Sequence, residues 1–197
     1  MAEVNSNQLI KFKDAVLEIG KPQTIGERPI ITQTGNSLSV SNLDETWADS
    51  GVLRELNAIT TTSRSVDKSE QTFNYVGSSG WTDAIHLTRR ISQSFTTYFF
   101  RSSDPNQDYI DPVTRLILSG GEEDDVEVFF RQMFYLGGSG SSDFWRTVAC
   151  NGLISNLQES TPGDNVIELT FDLSSVGTVY RLVQSSSAGN RPSITSS

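Results

Sequence analysis

Histidine and cysteine, which are widely used in nucleophilic, general-base and zinc chemistry, are scarce in this chain of 197 residues. The chain contains a single histidine, His86, and a single cysteine, Cys150. Zinc sites of the usual composition need more histidine and cysteine ligands than these two residues provide. A cysteine nucleophile needs a neighbouring base, and no local motif brings Cys150 and His86 together. The sequence therefore predicts a protein that is not an enzyme, with no catalytic residues, no metal ligands and no cofactor.

Cys150 has a simpler interpretation as part of the core. It follows Thr147, Val148 and Ala149 in a largely apolar run. With one cysteine in the chain, no intrachain disulfide is possible. A free cysteine in such a run behaves as a small buried hydrophobic residue. We therefore expect it to pack rather than react.

A run of four acidic residues and two glycine-rich segments are the remaining candidates for ligand chemistry. The acidic run is Glu122, Glu123, Asp124 and Asp125. It lacks the alternating ligands, central glycine and terminal glutamate of an EF-hand loop. It is interpreted as a solvated turn or, alternatively, as charge lining a pore. Residues 77–80 and 137–140 lack the Lys-Ser/Thr ending of a phosphate-binding loop, so both predict ordinary loops.

The overall charge bears on the partners of the chain. The formal net charge is −9 and the sequence pI is about 4.6. An acidic surface repels phosphates, so ordinary binding of DNA or RNA is not expected. No window approaches the roughly 20 apolar residues that span a membrane. The first residues lack the basic and apolar regions of a signal peptide. A soluble protein with no membrane partner is expected.

Strand patterns dominate the chain. Residues 84–101 give the clearest one, because one face carries Ile85, Leu87, Ile91, Phe95 and Phe99. Shorter strand patterns occupy residues 15–19, 52–66, 126–135, 144–157, 166–173 and 178–183. One helix is predicted, beginning at Asp104-Pro105 or at Asp111-Pro112 and ending at Gly120-Gly121.

These elements predict an α+β, mainly β fold. We expect antiparallel sheets or a β-sandwich with one helix packed on the side. A single domain covers residues 1–183, with an extended arm or loop at 20–50 and a long loop at 67–83. Residues 184–197 are Ser-rich and predict a flexible tail.

Long strands in an otherwise inert domain suggest a polymer. Sheet edges left open invite pairing with other chains. A head-to-tail contact between identical copies closes into a ring when the rotation permits. A sheet that continues from copy to copy becomes a barrel, which removes the lateral edges. The strands are therefore expected to join a β-barrel built from several subunits.

Two regions resemble the major tail tube proteins of tailed bacteriophages. In the first, Thr61-Thr62-Ser63-Arg64-Ser65-Val66 precedes Gly77-Ser78-Ser79-Gly80-Trp81, and the strand Arg89-Arg90-Ile91-Ser92-Gln93-Ser94-Phe95 follows. In the second, residues 150–157 and 162–171 resemble the closing hairpin of that family. The resemblance is one of pattern, and it covers most of residues 8–183.

The resemblance implies a structural virion protein. Six copies would form a ring, rings would stack into the tail tube, and genomic DNA would pass through the lumen during ejection. The helix would lie outside the barrel. Partners would be further copies of the chain and the tape measure, terminator and baseplate proteins. Assembly would take place in the host cytoplasm, and the product would be part of the virion tail.

The resemblance also implies where copies meet. The loop near residues 67–80 would form the contact between rings or subunits, through Asp67, Lys68, Glu70, Phe73, Tyr75 and Trp81. The acidic run Glu122, Glu123, Asp124 and Asp125 would lie at a ring edge or in the lumen.

Other functions remain open from the sequence alone. Within the same class, the chain could be a tail terminator, a completion protein or the inner tube of a contractile machine. A receptor- or carbohydrate-binding β-domain predicts exposed aromatic residues on one face, whereas Trp47, Trp81 and Trp145 are dispersed along the chain. A small hydrolase is disfavoured by the single histidine and single cysteine.

Overall fold

The computed structural model describes residues 15–24, 26–47, 52–56, 59, 61–74, 82–99, 110–122, 126–161 and 167–196. For 61, 67–74, 82–89, 122, 195 and 196 it describes the backbone alone. These residues form ten strands and one α-helix. The fold is mainly β with largely antiparallel sheets, which confirms the predicted fold class.

The strands and the helix fall into two sheets and one covering layer. In chain order the elements are β1 (Ala15–Gly20), β2 (Ile30–Thr34), β3 (Ser37–Ser41), β4 (Arg54–Glu55), β5 (Thr61–Asn74), β6 (Thr82–Tyr98), α1 (Pro112–Glu122), β7 (Glu127–Ser139), β8 (Ser142–Ser160), β9 (Glu168–Ser187) and β10 (Thr195–Ser196). The large sheet has seven strands in the order β4-β1-β7-β8-β9-β6-β5. The small sheet has the order β10-β3-β2.

The large sheet is buried on both faces near its centre. On one face, Phe95, Phe130 and Phe171 pack together, with Phe95 ring centroids 5.5 and 5.3 Å from the other two. Leu116 and Ile117 of α1 belong to the same cluster. On the opposite face, a second cluster joins the small sheet to the large one through Leu38, Val40, Phe129, Ala149 and Leu182. The helix and the small sheet therefore lie on opposite faces.

The second of the two predicted helix starts is the one seen. The Asp111 carboxylate accepts hydrogen bonds from the Val113 and Thr114 backbone N–H groups at 2.9 and 3.4 Å. These contacts satisfy N–H groups that have no partner within the first helical turn. Pro112 follows as the first helical residue. The alternative start at Asp104-Pro105 lies outside the described residues.

The helix runs one residue beyond the predicted Gly-Gly ending. A Cβ atom on Gly121 would lie 2.7 Å from the Leu157 Cβ, and one on Gly120 would lie 3.1 Å from the Ile154 Cδ1. The two glycines therefore allow α1 to approach β8 closely while the helix continues to Glu122. Their role is packing against the sheet rather than ending the helix.

Strands also occupy segments expected to be loop or tail. Residues 30–34 and 37–41 of the expected arm form the β2–β3 hairpin. Residues 184–187 continue β9 opposite 142–145 of β8, and Thr195–Ser196 pair in parallel with Ser39 and Val40. The Ser-rich composition suggests a free tail, but the backbone of serine pairs in a ladder as that of any residue does.

The expected loop at 67–83 is also largely strand. β5 and β6 pair continuously from Thr61 opposite Thr96 to Asn74 opposite Thr82, with one irregularity between Ser69 and Glu70. Charged residues on both faces hide the alternation that reveals a half-buried strand. Residues 75–81, which join the two strands, lie outside the described residues. No helix in the described part of the chain is long and apolar enough to cross a membrane.

Candidate assembly surfaces

One margin of the large sheet is long and open. β5 is the outermost strand, has 14 residues, and pairs with β6 alone among the described strands. β6 pairs with β9 only from Ser92 to Tyr98. Residues 67–74 of β5 and 82–90 of β6 therefore pair only with each other within the described chain. We call this two-stranded ribbon the distal hairpin. Such a ribbon is marginally stable in water when it stands alone.

Four of the six predicted contact residues lie on the distal hairpin. In the strand register, Asp67 is opposite Arg90, Lys68 opposite Arg89, Glu70 opposite His86 and Phe73 opposite Asp83. By residue type, Asp67 and Arg90 carry opposite charges, whereas Lys68 and Arg89 carry like charges. Tyr75 and Trp81 lie outside the described residues.

The acidic run is located elsewhere. Glu122 is the last residue of α1, while Glu123, Asp124 and Asp125 lie outside the described residues. The end of α1 packs against β8 through Gly121 and Leu157. β9 and β6 separate β8 from β5 in the sheet. In the described part of the chain, no strand pairing links β8, against which α1 ends, directly to β5.

The opposite margin of the sheet is short and covered. β4 has two residues, paired with Glu18 and Ile19 of β1. Arg54 donates a hydrogen bond from Nε to the Trp47 carbonyl at 2.8 Å, and its guanidinium lies 5.6 Å from the centroid of the Trp47 ring. The Trp47 indole N–H donates to the Val52 carbonyl at 3.1 Å. This local network closes the margin within the chain.

A salt bridge links the residue that follows β1 to the segment that follows β3. The Lys21 ammonium donates to the Asp44 carboxylate at 2.9 Å. Thr46 donates to the same carboxylate from its hydroxyl at 2.7 Å and from its backbone N–H at 3.0 Å. Hydrogen bonds from Thr46 and Lys21 lower the pKa of Asp44 to about 2.

A buried arginine fastens the C-terminal segment to the same side of the sheet. Arg131 of β7 donates from Nε to the Glu18 carboxylate of β1 at 2.7 Å. Its Nη1 donates to the Pro192 carbonyl at 2.9 Å. Burial lowers the pKa of Arg131, against the opposing effect of the Glu18 charge. Arg191 forms a further ion pair with Glu55 of β4 at 2.7 Å. The C-terminal segment is thus tied to β7 and β4.

The candidates for chemistry do not form a reactive site. Cys150 is buried in the core, as predicted, and burial raises the pKa of its thiol to about 12. A thiol with that pKa is not a thiolate near neutral pH and is therefore a poor nucleophile. His86 lies opposite Glu70 in the register of β5 and β6, whereas Cys150 lies on β8. The described residues contain no group of three or more His, Cys, Asp or Glu that could hold a metal.

Three arginines form a cluster that the sequence analysis does not identify. Arg64, Arg146 and Arg181 are exposed and lie on β5, β8 and β9. Burial and then the charges of Arg146 and Arg181 lower the pKa of Arg64. The only sequence signal is arginine within an alternating strand pattern, which is also typical of any solvent-facing strand position. Strand register is needed to see that the three belong together.

Comparison with known proteins yields similarity to solved structures of phage-like particles. No protein-family model and no curated protein sequence matches the chain. A chain from the tail of an empty GTA particle with C6 symmetry is 13% identical, with a TM-score of 0.48, covering 86% of this chain and 96% of that one. A chain from a native gene transfer agent virion is 14% identical, with a TM-score of 0.42, covering 66% and 88%. A chain from the six-fold symmetrised anti-feeding prophage baseplate is 11% identical, with a TM-score of 0.43, covering 85% and 91%. At these values the similarity assigns neither a family nor a function to this chain.

Proposed function

We propose that the chain is a structural subunit of a phage-like tail, assembled as hexameric rings that stack into a tube through which DNA is delivered. The distal hairpin carries this proposal. A two-stranded ribbon that leaves its sheet, with one long open edge, gains stability when another copy supplies backbone or side-chain partners. The pattern resemblance to tail tube proteins supplies the six-fold ring and the conduit role.

The asymmetry between the two margins supports assembly of identical copies. The β4 margin is closed by Arg54 and Trp47, whereas β5, over its 14 residues, pairs with β6 alone among the described strands. Charged residues and the irregularity between Ser69 and Glu70 disfavour nonspecific edge pairing. A specific partner that complements those charges is therefore favoured over random aggregation.

An inert interior also fits a structural role. Cys150 is packed in the core rather than activated, and the net charge of −9 opposes adhesion of DNA. Asp67, Lys68, Glu70, Phe73, Tyr75 and Trp81 are proposed as residues of the contact between copies. Glu122, Glu123, Asp124 and Asp125 are proposed as charge at a ring edge or in the lumen.

Electron microscopy of the purified full chain, together with native mass spectrometry, tests the proposal. We expect hexamers and tubes with a central channel at high protein concentration. A variant in which residues 67–90 are replaced by a two-residue Asn-Gly turn keeps the part of β6 that pairs with β9. It is expected to remain folded and monomeric.

The matched control is Arg54→Lys, which alters the covered margin and leaves the distal hairpin unchanged. It is expected to assemble as the wild type does. A wild-type chain that stays monomeric at all concentrations, even with seeds, would refute the proposal. Rings that never stack would instead favour a tail terminator.

A further inference from the structure

A basic and partly apolar surface lies on one face of the β8–β9 pair. Arg146 is directly opposite Val183, and Val148 is directly opposite Arg181. Opposed residues in an antiparallel pair share a face, and diagonal neighbours lie about 7–8 Å apart. Arg146 and Arg181 are such diagonal neighbours. Two strands therefore present two guanidinium groups side by side.

Arg64 joins this pair from the outer strand of the sheet. It is opposite Gln93, which is in turn opposite Leu173 in the core. Leu173 lies opposite Ile154, and alternation along β8 puts Arg146 on the same face as Ile154. Arg64 therefore lies on the same face of the sheet as Arg146 and Arg181, and their charges help to lower its pKa.

The cluster has no internal counter-ion among the described residues. The ion pairs seen there are Lys21–Asp44, Arg28–Glu127, Arg131–Glu18 and Arg191–Glu55. Three cations in a chain of net charge −9 therefore have no acidic partner among the residues that the structure describes. Like charges at close range disfavour one another unless an anion lies between them.

Exposed apolar side chains accompany the three cations. Phe144 lies on the same face, two residues before Arg146, and is 38% exposed. Val183, opposite Arg146, is 53% exposed. We call Arg64, Arg146, Arg181, Phe144 and Val183 the basic face. A surface that combines unpaired cations with exposed apolar groups is typical of a protein contact rather than of a site for phosphate alone.

The other end of the same two strands has the complementary chemistry. Glu159 lies at the end of β8 and Glu168 at the start of β9, and neither forms an ion pair with a described residue. Ile167, beside Glu168, is 39% exposed. We call Glu159, Ile167 and Glu168 the acidic end. Its carboxylates can pair with the arginines of the basic face, and its apolar side chain can pack against Phe144 or Val183.

One chain cannot satisfy its own basic face with its own acidic end. The 13 positions from Arg146 to Glu159 along β8 span roughly 40 Å of extended strand. Two complementary surfaces at opposite ends of one element make a heterologous contact, which propagates from copy to copy. We propose that the acidic end of one copy binds the basic face of a second copy, and that this head-to-tail contact holds successive rings together. The inference rests on the proposed function, because it names the stacking contact of that assembly.

Charge reversal at each surface tests the contact. Arg146→Glu with Arg181→Glu is expected to leave rings intact and to shorten tubes about tenfold, since unlike charges become like charges. Glu159→Lys with Glu168→Lys is expected to do the same. Arg115→Glu and Glu45→Lys are the matched controls, because both residues are exposed and lie outside the two surfaces and outside the distal hairpin. Tube length is measured by electron microscopy, and folding by circular dichroism.

The four reversals combined in one chain give a second, stricter test. That variant again has complementary charges at positions 146 and 181 and at positions 159 and 168, with the signs exchanged, so its tubes are expected to recover. It is also expected not to mix with differently labelled wild-type chains in the same tube. Recovery in the combined variant excludes misfolding as the reason for the loss in each pair.

Three outcomes would overturn the inference. Tubes that are insensitive to both reversals would refute the contact and leave the proposed function standing. Binding of a fluorescent 30-base-pair duplex to the wild type, lost in Arg146→Glu with Arg181→Glu while tubes persist, would make the basic face a phosphate site. A wild type that forms no rings would refute both proposals.

Discussion

The two margins of the large sheet differ in how far the edge strand is covered by other parts of the same chain. At the β4 margin, a two-residue strand, a stacked arginine and a buried ion pair complete the sheet from within. At the β5 margin, a strand of 14 residues ends the sheet, and its distal half leaves β9 as a two-stranded ribbon. The first margin is built for the stability of one copy. The second is suited to a contact with another copy.

This difference has an energetic consequence. Changes at the covered margin should lower the free energy of unfolding of the monomer, whereas changes at the outer edge of β5 should affect assembly instead. Equal effects on monomer stability and on assembly from changes at both margins would contradict this difference. The following predictions are ordered from the largest expected effect to the smallest.

Breaking the buried ion pair beside the covered margin should have the largest effect on stability. Arg131→Met leaves the Glu18 carboxylate and the Pro192 carbonyl without their partner, and we expect a loss of about 3–5 kcal/mol. Urea denaturation measures it. Adding Glu18→Leu should recover most of the loss, because no buried charge then remains unpaired. A single variant as stable as the wild type would contradict the prediction.

Proline on β5 should separate the two roles of that strand. The backbone N–H groups of neighbouring residues point to opposite sides, so one of Thr62 and Ser63 donates toward β6 and the other toward the open edge. Proline at the inward position should cost about 1–3 kcal/mol of monomer stability. Proline at the outward position should leave stability within about 0.5 kcal/mol and abolish tubes. Equal loss of stability in both variants would argue against an open edge.

Removing the indole hydrogen bond at the covered margin should have a smaller effect. Trp47→Phe keeps an aromatic ring beside Arg54 but removes the donor to the Val52 carbonyl. We expect a loss of about 1 kcal/mol in urea denaturation. Assembly should be unchanged, since the distal hairpin is not altered. Loss of tubes in a stably folded Trp47→Phe variant would show that this margin also contacts a neighbour.

The smallest effect is expected from the hydrogen bonds and ion pair of Asp44, and it depends on pH. The pKa of Asp44 is lowered to about 2 from an ordinary value near 4, so its ionised form stabilises the folded chain above about pH 4. That contribution is lost as the pH falls toward 2. With one partly exposed partner, it should amount to about 1 kcal/mol or less. The stability difference between the wild type and Asp44→Asn should therefore vanish by pH 2, and its persistence there would count against the assignment.

Local patterns in the sequence predict much of the core. The alternation around Ile91 and Phe95 indicates β6, the strand next to the open margin of the sheet, and both residues are buried. Asp111-Pro112 indicates the helix start that is seen. Both signals are local, because a strand face or a helix cap is set by residues a few positions apart.

Local sequence patterns do not reveal strand pairing between segments that are far apart in the chain. Residues 67–74 look like a charged loop until β6 is placed beside them. Thr195 and Ser196 look like a tail until β3, more than 150 positions earlier in the chain, supplies the ladder. The Arg64, Arg146 and Arg181 cluster is likewise formed by three strands that are far apart in sequence.

The sequence by itself determined the class of fold, the main strands, the one helix and the absence of an obvious catalytic motif. These follow from composition and short-range periodicity, which act within a few residues. The tertiary structure decided which strand is outermost, where the hairpin leaves the sheet and which charges are left unpaired. Those properties depend on strand order and register, and both are set by long-range burial and backbone pairing rather than by any single segment.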